Sequence, residues 1–367
     1  MRRAAVLAVL IAVACAIQAC SKRSDVPFRL LSVSTLAANG GRVSWSPDGE
    51  WIAFDRKGSD GFFDVWVVRP DASDERCLTC GHPEMPAGNI GNPEWHPSGE
   101  YMVIQVEDPL LPIGSHTGRF DQYAASPGIG LNNNLWILSA NGIATWQLTE
   151  VVAGRGTLHP QFSHNGELLL WCDIARPGVA GQVMRLATIQ FVNERPELGP
   201  VETLDVGGFA FYETHGFSPD DEMILFSAYP DGAYFYGLEI YTYGLDSQRL
   251  HQLTDNDEWD EHAHFTPDGE WIIYSSSEGV PQTKTSSNVE LLESPVNLEL
   301  WMMRSDGSEK HRLTWINDPD APEYVASPIG AGFGDGSWHP DGTCFVAKLR
   351  PGRGTERVVV LEIAADE

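Results

Sequence analysis

Short apolar runs with alternating polar positions recur along this chain, and the same polar punctuation separates many of them. An aromatic residue, a polar residue and a Pro-Asp-Gly-like turn precede a new apolar run at Trp45-Ser-Pro-Asp-Gly49, Trp95-His-Pro-Ser-Gly99, Phe162-Ser-His-Asn-Gly166, Phe217-Ser-Pro-Asp-Asp221, Phe265-Thr-Pro-Asp-Gly269 and Trp338-His-Pro-Asp-Gly342. Proline presets the entry of such a turn and glycine tolerates the positive φ at its end. In the first unit, residues 42–46 lead in and 51–55 lead out. A third run covers 63–69, a second tight turn covers 70–73, and a fourth run ends in Cys77-Leu-Thr79. Four short antiparallel strands joined by tight turns make one propeller blade. The third strand recurs as Asn134-Leu-Trp-Ile-Leu138 and Leu298-Glu-Leu-Trp-Met302, with Trp66 at the matching place. The fourth recurs as Gln147-Leu-Thr149, Gln252-Leu-Thr254 and Arg312-Leu-Thr314. Repetition at this period predicts an all-β, six-bladed β-propeller of four-stranded antiparallel blades.

The sixth unit has strand-like runs at 336–338, 343–348 and 356–363, and the chain then ends without a fourth. Residues 28–36 form an unpaired run of suitable length and alternation ahead of the first unit. Pairing this run with the last one closes the last blade with an N-terminal strand and removes an exposed edge.

These turns and strands resemble the TolB-like propeller repeats of periplasmic TolB and many secreted bacterial proteins. The resemblance covers nearly all of the chain after its N-terminus. TolB carries an α/β domain ahead of its propeller, for which this chain leaves no room, so the likeness is one of repeat type. It implies the fold and leaves the activity open, because propellers serve unrelated tasks.

Met1-Arg2-Arg3, an apolar stretch from Ala4 to Ile17 and Gln18-Ala19-Cys20-Ser21 compose a secretory signal. Cys20 after Ala19 resembles the bacterial lipoprotein signal, in which the cysteine is lipidated and becomes the new N-terminus. Ser21 resembles the residue typical of proteins sent on to the outer membrane. The expected organisation is a signal over residues 1–19, a tether over 20–26 and the propeller over 27–367. The expected location is the periplasm, with a lipid anchor in the outer membrane as the one membrane attachment. No later segment is apolar for long enough to span a bilayer.

Formal charge is −27, from 51 acidic and 24 basic residues. Such a surface repels nucleic acid, which needs basic patches to displace counterions. Cys77 and Cys80 form a Cys-x-x-Cys at the end of the first blade, read as a local disulfide in an oxidising compartment. Cys172 and Cys344 fall in apolar second strands and read as core thiols. No Gly-x-Ser-x-Gly elbow and no phosphate-binding glycine loop opening a helix is present.

Strand alternation places the long insertions 107–133, 277–297 and 315–335 on one face of the disc, opposite the Pro-Asp-Gly turns. Insertions mark the working surface of a repeat protein. Phe120, Tyr123, Trp315, Tyr324 and Asp335 are the candidate binding-face residues. Three positions before each repeated aromatic, around the same mouth of the channel, stand Arg42, Asn92, His159, Thr214, His262 and Asp335. His215 and His264 are close by, as are Glu213, Asp257, Asp260 and Glu261. Imidazoles with carboxylates suit zinc, manganese or nickel, so His159, His215, His262 and His264 are the candidate ligands of a divalent metal. His215 is out of phase with His159 and His262 unless its strand is bulged. The more distant resemblance to oligogalacturonate lyase, a propeller that binds a divalent metal through channel histidines, implies the same chemistry.

Two functions follow. The first is an envelope-anchored, non-catalytic scaffold, without cofactor, that binds a protein or glycan on its insertion-rich face. The second is a divalent-metal-dependent, lyase-like carbohydrate-active enzyme.

Overall fold

The computed structural model describes residues 27–112, 124–174, 182–230, 237–282, 296–352 and 355–365. Six antiparallel sheets follow one another around a ring. Their innermost strands are Gly40–Trp45, Ile90–Trp95, Gly156–Phe162, Phe209–Phe217, Asp260–Phe265 and Gly332–Trp338. Each of these touches the next, and the last returns to the first. In blade 6, Gly332–Trp338, Cys344–Arg350 and Arg357–Ala365 are completed by Phe28–Ala38, with Phe28 opposite Ala365 and Ala38 opposite Arg357. The ring is therefore closed by the N-terminal strand. No helix occurs among the described residues. Blade 3 departs from the four-strand plan. Its long third strand, Gln182–Val192, pairs with Glu202–Leu204 near its start and with Arg195–Leu198 near its end.

There is no single core. Apolar side chains collect in the gap between each pair of adjacent blades, and the six repeated aromatics are divided among these gaps. Trp45 packs between blades 6 and 1, Trp95 between 1 and 2, and Phe162 between 2 and 3. Phe217, Phe265 and Trp338 do the same for the remaining three. A blade cannot bury its faces alone, so the ring needs one large residue at every seam.

The turn chemistry repeats in four of the six turns, where a Ser or Thr hydroxyl donates to the Asp or Asn two residues on. His96 and His339 take the hydroxyl's place in the other two. Ser46 Oγ donates to Asp48 Oδ1 (2.6 Å) and accepts from Trp51 N (2.9 Å), while Gly49 has φ +74°. Asp221 replaces the glycine of the fourth turn and keeps φ +59°. Its carboxylate accepts from His164 N (2.7 Å) and Asn165 N (2.9 Å) of the neighbouring turn, which offsets the strain.

The Leu-Thr endings lie just past the short fourth strands. Thr79, Thr149, Thr254 and Thr314 each accept a hydrogen bond at Oγ1 from a third-strand amide, those of Val65, Leu135, Ile240 and Leu300, at 2.8–2.9 Å. The hydroxyl extends the ladder where the backbone has already turned away. Cys77 and Cys80 are joined by a disulfide, Cys172 is buried and Cys344 is half-buried.

Candidate functional site: a carboxylate and imidazole cluster at the channel mouth

Every inner strand carries a register shift near its middle, between Gly40 and Val43, Gly91 and Glu94, Leu158 and Gln161, Thr214 and Gly216, Glu261 and His264, and Phe333 and Gly336. In three blades the bulged residue stands in left-handed backbone: Asn92 (φ +50°), His159 (φ +50°) and His262 (φ +52°). That conformation costs a non-glycine residue about 1–3 kcal/mol and re-aims its side chain. Two of the three are histidines, and both point into one cluster.

Blade 4 solves the same geometry differently. Its positive φ (+114°) falls on Gly216, next to the aromatic Phe217. Thr214, which counting back from the aromatic places in the channel, is instead buried and donates to His159 O (2.7 Å). Glu213 takes the channel position. Glycine immediately before the repeated aromatic is unique to this unit, and it was the available sign of the shift.

The cluster comprises His159, Glu213, Glu261, His262 and Asp335, whose ligand atoms form two overlapping groups within 4.8 Å. Glu213 is 5% exposed and its Oε1 makes no hydrogen bond. That oxygen lies 3.4 Å from His262 Nδ1 and 3.8 Å from His159 Nδ1. Asp335 Oδ1 lies 3.8 Å and 4.0 Å from the same two nitrogens. Both imidazoles thus turn Nδ1 inward toward the same pair of carboxylates. The outer nitrogens are held: His159 Nε2 faces Gly128 O at 3.1 Å, and His262 Nε2 faces Glu261 Oε1 at 3.2 Å. Gly128 belongs to the long second-to-third-strand connection of blade 2, so the cluster opens on the insertion-rich face.

Electrostatics sharpen this picture. Burial, then repulsion by Glu261 and Asp335, pushes the Glu213 carboxyl well above its ordinary range. Burial favours the neutral form of Asp335, but Lys348, then His262 and Arg42, hold it well below that range. Lys348 Nζ is 3.0 Å from Asp335 Oδ2. Burial pushes His159 down to about 4, so its ring is neutral at neutral pH. A neutral His159 that donates through Nε2 to a carbonyl leaves the Nδ1 lone pair facing the carboxylates.

His215 and His264 lie one layer further along the channel, toward the turn face. Their ring centroids are 6.4 Å apart, and His215 is 6.2 Å from His262. Ser227 Oγ is 2.7 Å from His215 Nε2. Burial depresses both rings, His264 to about 4 and His215 well below its ordinary value, with His262 the next cause. Asp335, expected among the binding-face residues, belongs to the cluster. Trp315 and Tyr324 are exposed at 42% and 39% and border grooves at the outer rim, beside the closing strand. Phe120, Tyr123 and Cys20 lie outside the described residues. Sequence reasoning left Lys348 unmarked, since a lone lysine in a second strand carries no pattern.

The fold and this channel define a six-bladed propeller of the kind shared by TolB and oligogalacturonate lyase. TolB of Acinetobacter baumannii superposes with TM-score 0.50 at 13% identity, over 90% of this chain and 65% of that one. An oligogalacturonate lyase in complex with manganese gives 0.51 at 12% identity, over 92% and 95%. XC5397 of Xanthomonas campestris, a gluconolactonase, gives 0.54 at 13%, over 92% and 95%. At these identities the likeness is one of fold. No protein-family profile and no curated protein sequence matches the chain.

Proposed function

We propose that the channel mouth holds a divalent cation and that the protein acts there on an oxygen-rich, carbohydrate-type ligand. The carrying observation is the orientation of the two histidines. Each presents Nδ1 to Glu213 and Asp335, and each has its opposite nitrogen beside an acceptor, Gly128 O or Glu261. Metal-ligating histidines are oriented in this way by acceptors on their far side. Glu213 Oε1, buried without a hydrogen bond, fits a donor atom waiting for a cation, since a buried carboxylate oxygen is costly unless paired. His159, His262, Glu213 and Asp335 would hold the ion, and Glu261 would orient His262. Imidazole with carboxylate suits manganese or zinc. Such an ion supplies Lewis-acid polarisation of a ligand oxygen. Lys348 keeps Asp335 ionised, and neutral His159 keeps a lone pair inside the cluster. The oligogalacturonate lyase of similar fold is in complex with manganese, which agrees with this reading.

Titration of dialysed protein with Mn²⁺ and Zn²⁺ tests it. The expected result is one tight ion per chain, with stabilisation of about 2.7 kcal/mol at a free concentration a hundred times Kd. His262→Ala and Glu213→Gln should each weaken binding roughly tenfold or more. Protein that takes up no ion, or variants that bind as the wild type does, would sink the assignment.

A second reading is favoured by exposed Trp315 and Tyr324, which border rim grooves of about 520 and 640 Å³. A protein or glycan of the envelope would dock there, with the propeller held in the periplasm by lipid on Cys20 and the tether 20–26.

A further inference from the structure

The opposite end of the channel is a separate cavity of about 400 Å³, open on the Pro-Asp-Gly turn face. Pro47, Pro97, Pro267 and Pro340 form its rim, and the six repeated aromatics line its wall. Glu94, Gln161, His215, His264 and Ser337 supply its polar groups. The carboxylate is the unusual member of this set. The bulge at Gly91 and Asn92 turns Glu94 toward the channel, in register with Val103 on the next strand. Its one stabilising neighbour is the Ser44 hydroxyl, whose oxygen also accepts from Trp95 N at 3.2 Å. Among the described residues lining the cavity there is no lysine or arginine. His215 Nε2 is engaged by Ser227 Oγ at 2.7 Å, and His164 at the rim is turned to Asp221, 3.2 Å away.

We infer that this turn-face funnel is a binding site for an organic monocation, an ammonium or guanidinium group on a short apolar stem, with Glu94 as its counter-charge. Three features match such a ligand. A carboxylate in a low-dielectric recess attracts a cation far more strongly than one in water. Aromatic and proline surfaces accommodate a methylene stem, and aromatic rings add cation–π attraction. A chain of net charge −27 draws cations toward its openings. Gln161 and Ser337 are placed to take the ligand's remaining N–H groups. The cavity is large enough for one amine or one basic side chain and too small for a folded domain. Nothing here depends on the metal site proposed at the other mouth.

Calorimetric titration at pH 8, where Glu94 is ionised, with the monocations butylguanidine, pentylamine and Nα-acetyl-arginine amide tests the site, with uncharged Nα-acetyl-norleucine amide as control. The charged probes should bind and the control should not. Glu94→Gln should reduce affinity for the charged probes roughly tenfold or more, the loss of one charge-assisted contact. Its uptake of Mn²⁺ or Zn²⁺ should match the wild type, so failure here is separable from failure of the metal reading. Gln161→Lys, which places a tethered ammonium in the cavity and leaves Glu94 intact, should also block the probes. Butylguanidine or pentylamine binding as well as the acetylated arginine would indicate a small-molecule ligand. A further gain of roughly tenfold with a flexible arginine-containing peptide would indicate a basic chain segment. Absence of binding by every charged probe, equal binding of the uncharged control, or undiminished affinity in both variants would overturn the proposal.

Discussion

Glu94 shows how one half-buried group couples the channel to stability. Burial pushes its carboxyl up to about 7 from an ordinary 4.5, against the weaker opposing effect of the Ser44 hydroxyl. Between those values the folded chain holds a proton that the unfolded chain releases, so its stabilising contribution is complete below about 4.5 and is lost as pH rises through 7. The shift corresponds to about 3 kcal/mol at most, less as far as channel water reaches the group. Urea denaturation at pH 5 and pH 8 should show the wild type losing stability with rising pH. Glu94→Gln should lose less by about 2 kcal/mol, and an identical slope in both proteins would remove Glu94 from the account. At the same scale, the left-handed backbone of His159 and His262 is strain held within the channel-mouth cluster. Alternation along a strand locates such residues to within a position, but it does not say which blade shifts its bulge. Counting selected Thr214, while Gly216 had moved the kink and handed the channel to Glu213.

Elements are held to one another by polar relays at the ends of the third and fourth strands. Glu299 is the fullest case. Its side chain is fully buried and accepts from Thr314 Oγ1 (2.7 Å), Ile316 N (2.9 Å), Asn317 N (3.0 Å) and Arg312 Nη2 (2.8 Å). One carboxylate thereby fastens the outer strand of blade 5 and the start of the 315–331 insertion. Glu299→Gln removes the charge and sets an amide N–H against these donors, so it should cost about 3–5 kcal/mol. A shift of less than about 1 kcal/mol in chemical denaturation would mean the relay is not a stabilising unit. The Leu-Thr endings were legible as a repeat. Their partners were not, since they stand on a different strand and vary in type: Asp64, Asn134, Glu239 and Glu299.

For the whole molecule, the closing strand also sets orientation. Phe28 packs edge-on against Trp271 and stacks on His311, just beyond the fifth Pro-Asp-Gly turn. The closing strand therefore begins at the turn face. We propose that a lipid on Cys20 keeps the turn face near the membrane, since an extended tether of this length reaches about 30 Å. Cys20→Ser should move the protein from the membrane fraction to the soluble fraction. Used as bait, the soluble form should retain any rim partner, and the Trp315→Ala/Tyr324→Ala double variant should lose it. A partner kept by the double variant would argue against docking at the rim.

Taken alone, the sequence determined the ring. Six turns with shared chemistry, six seam aromatics and a spare N-terminal strand are local features, and each acts through its neighbours in the chain or in the next repeat. Tertiary structure decided what the channel contains. Its lining comes from strands far apart in sequence, with bulges that re-aim single side chains and burial that sets their charge. The meeting of Glu213, His262 and Asp335, and the isolation of Glu94 from any lysine or arginine in its cavity, exist only once the blades are arranged around a common axis.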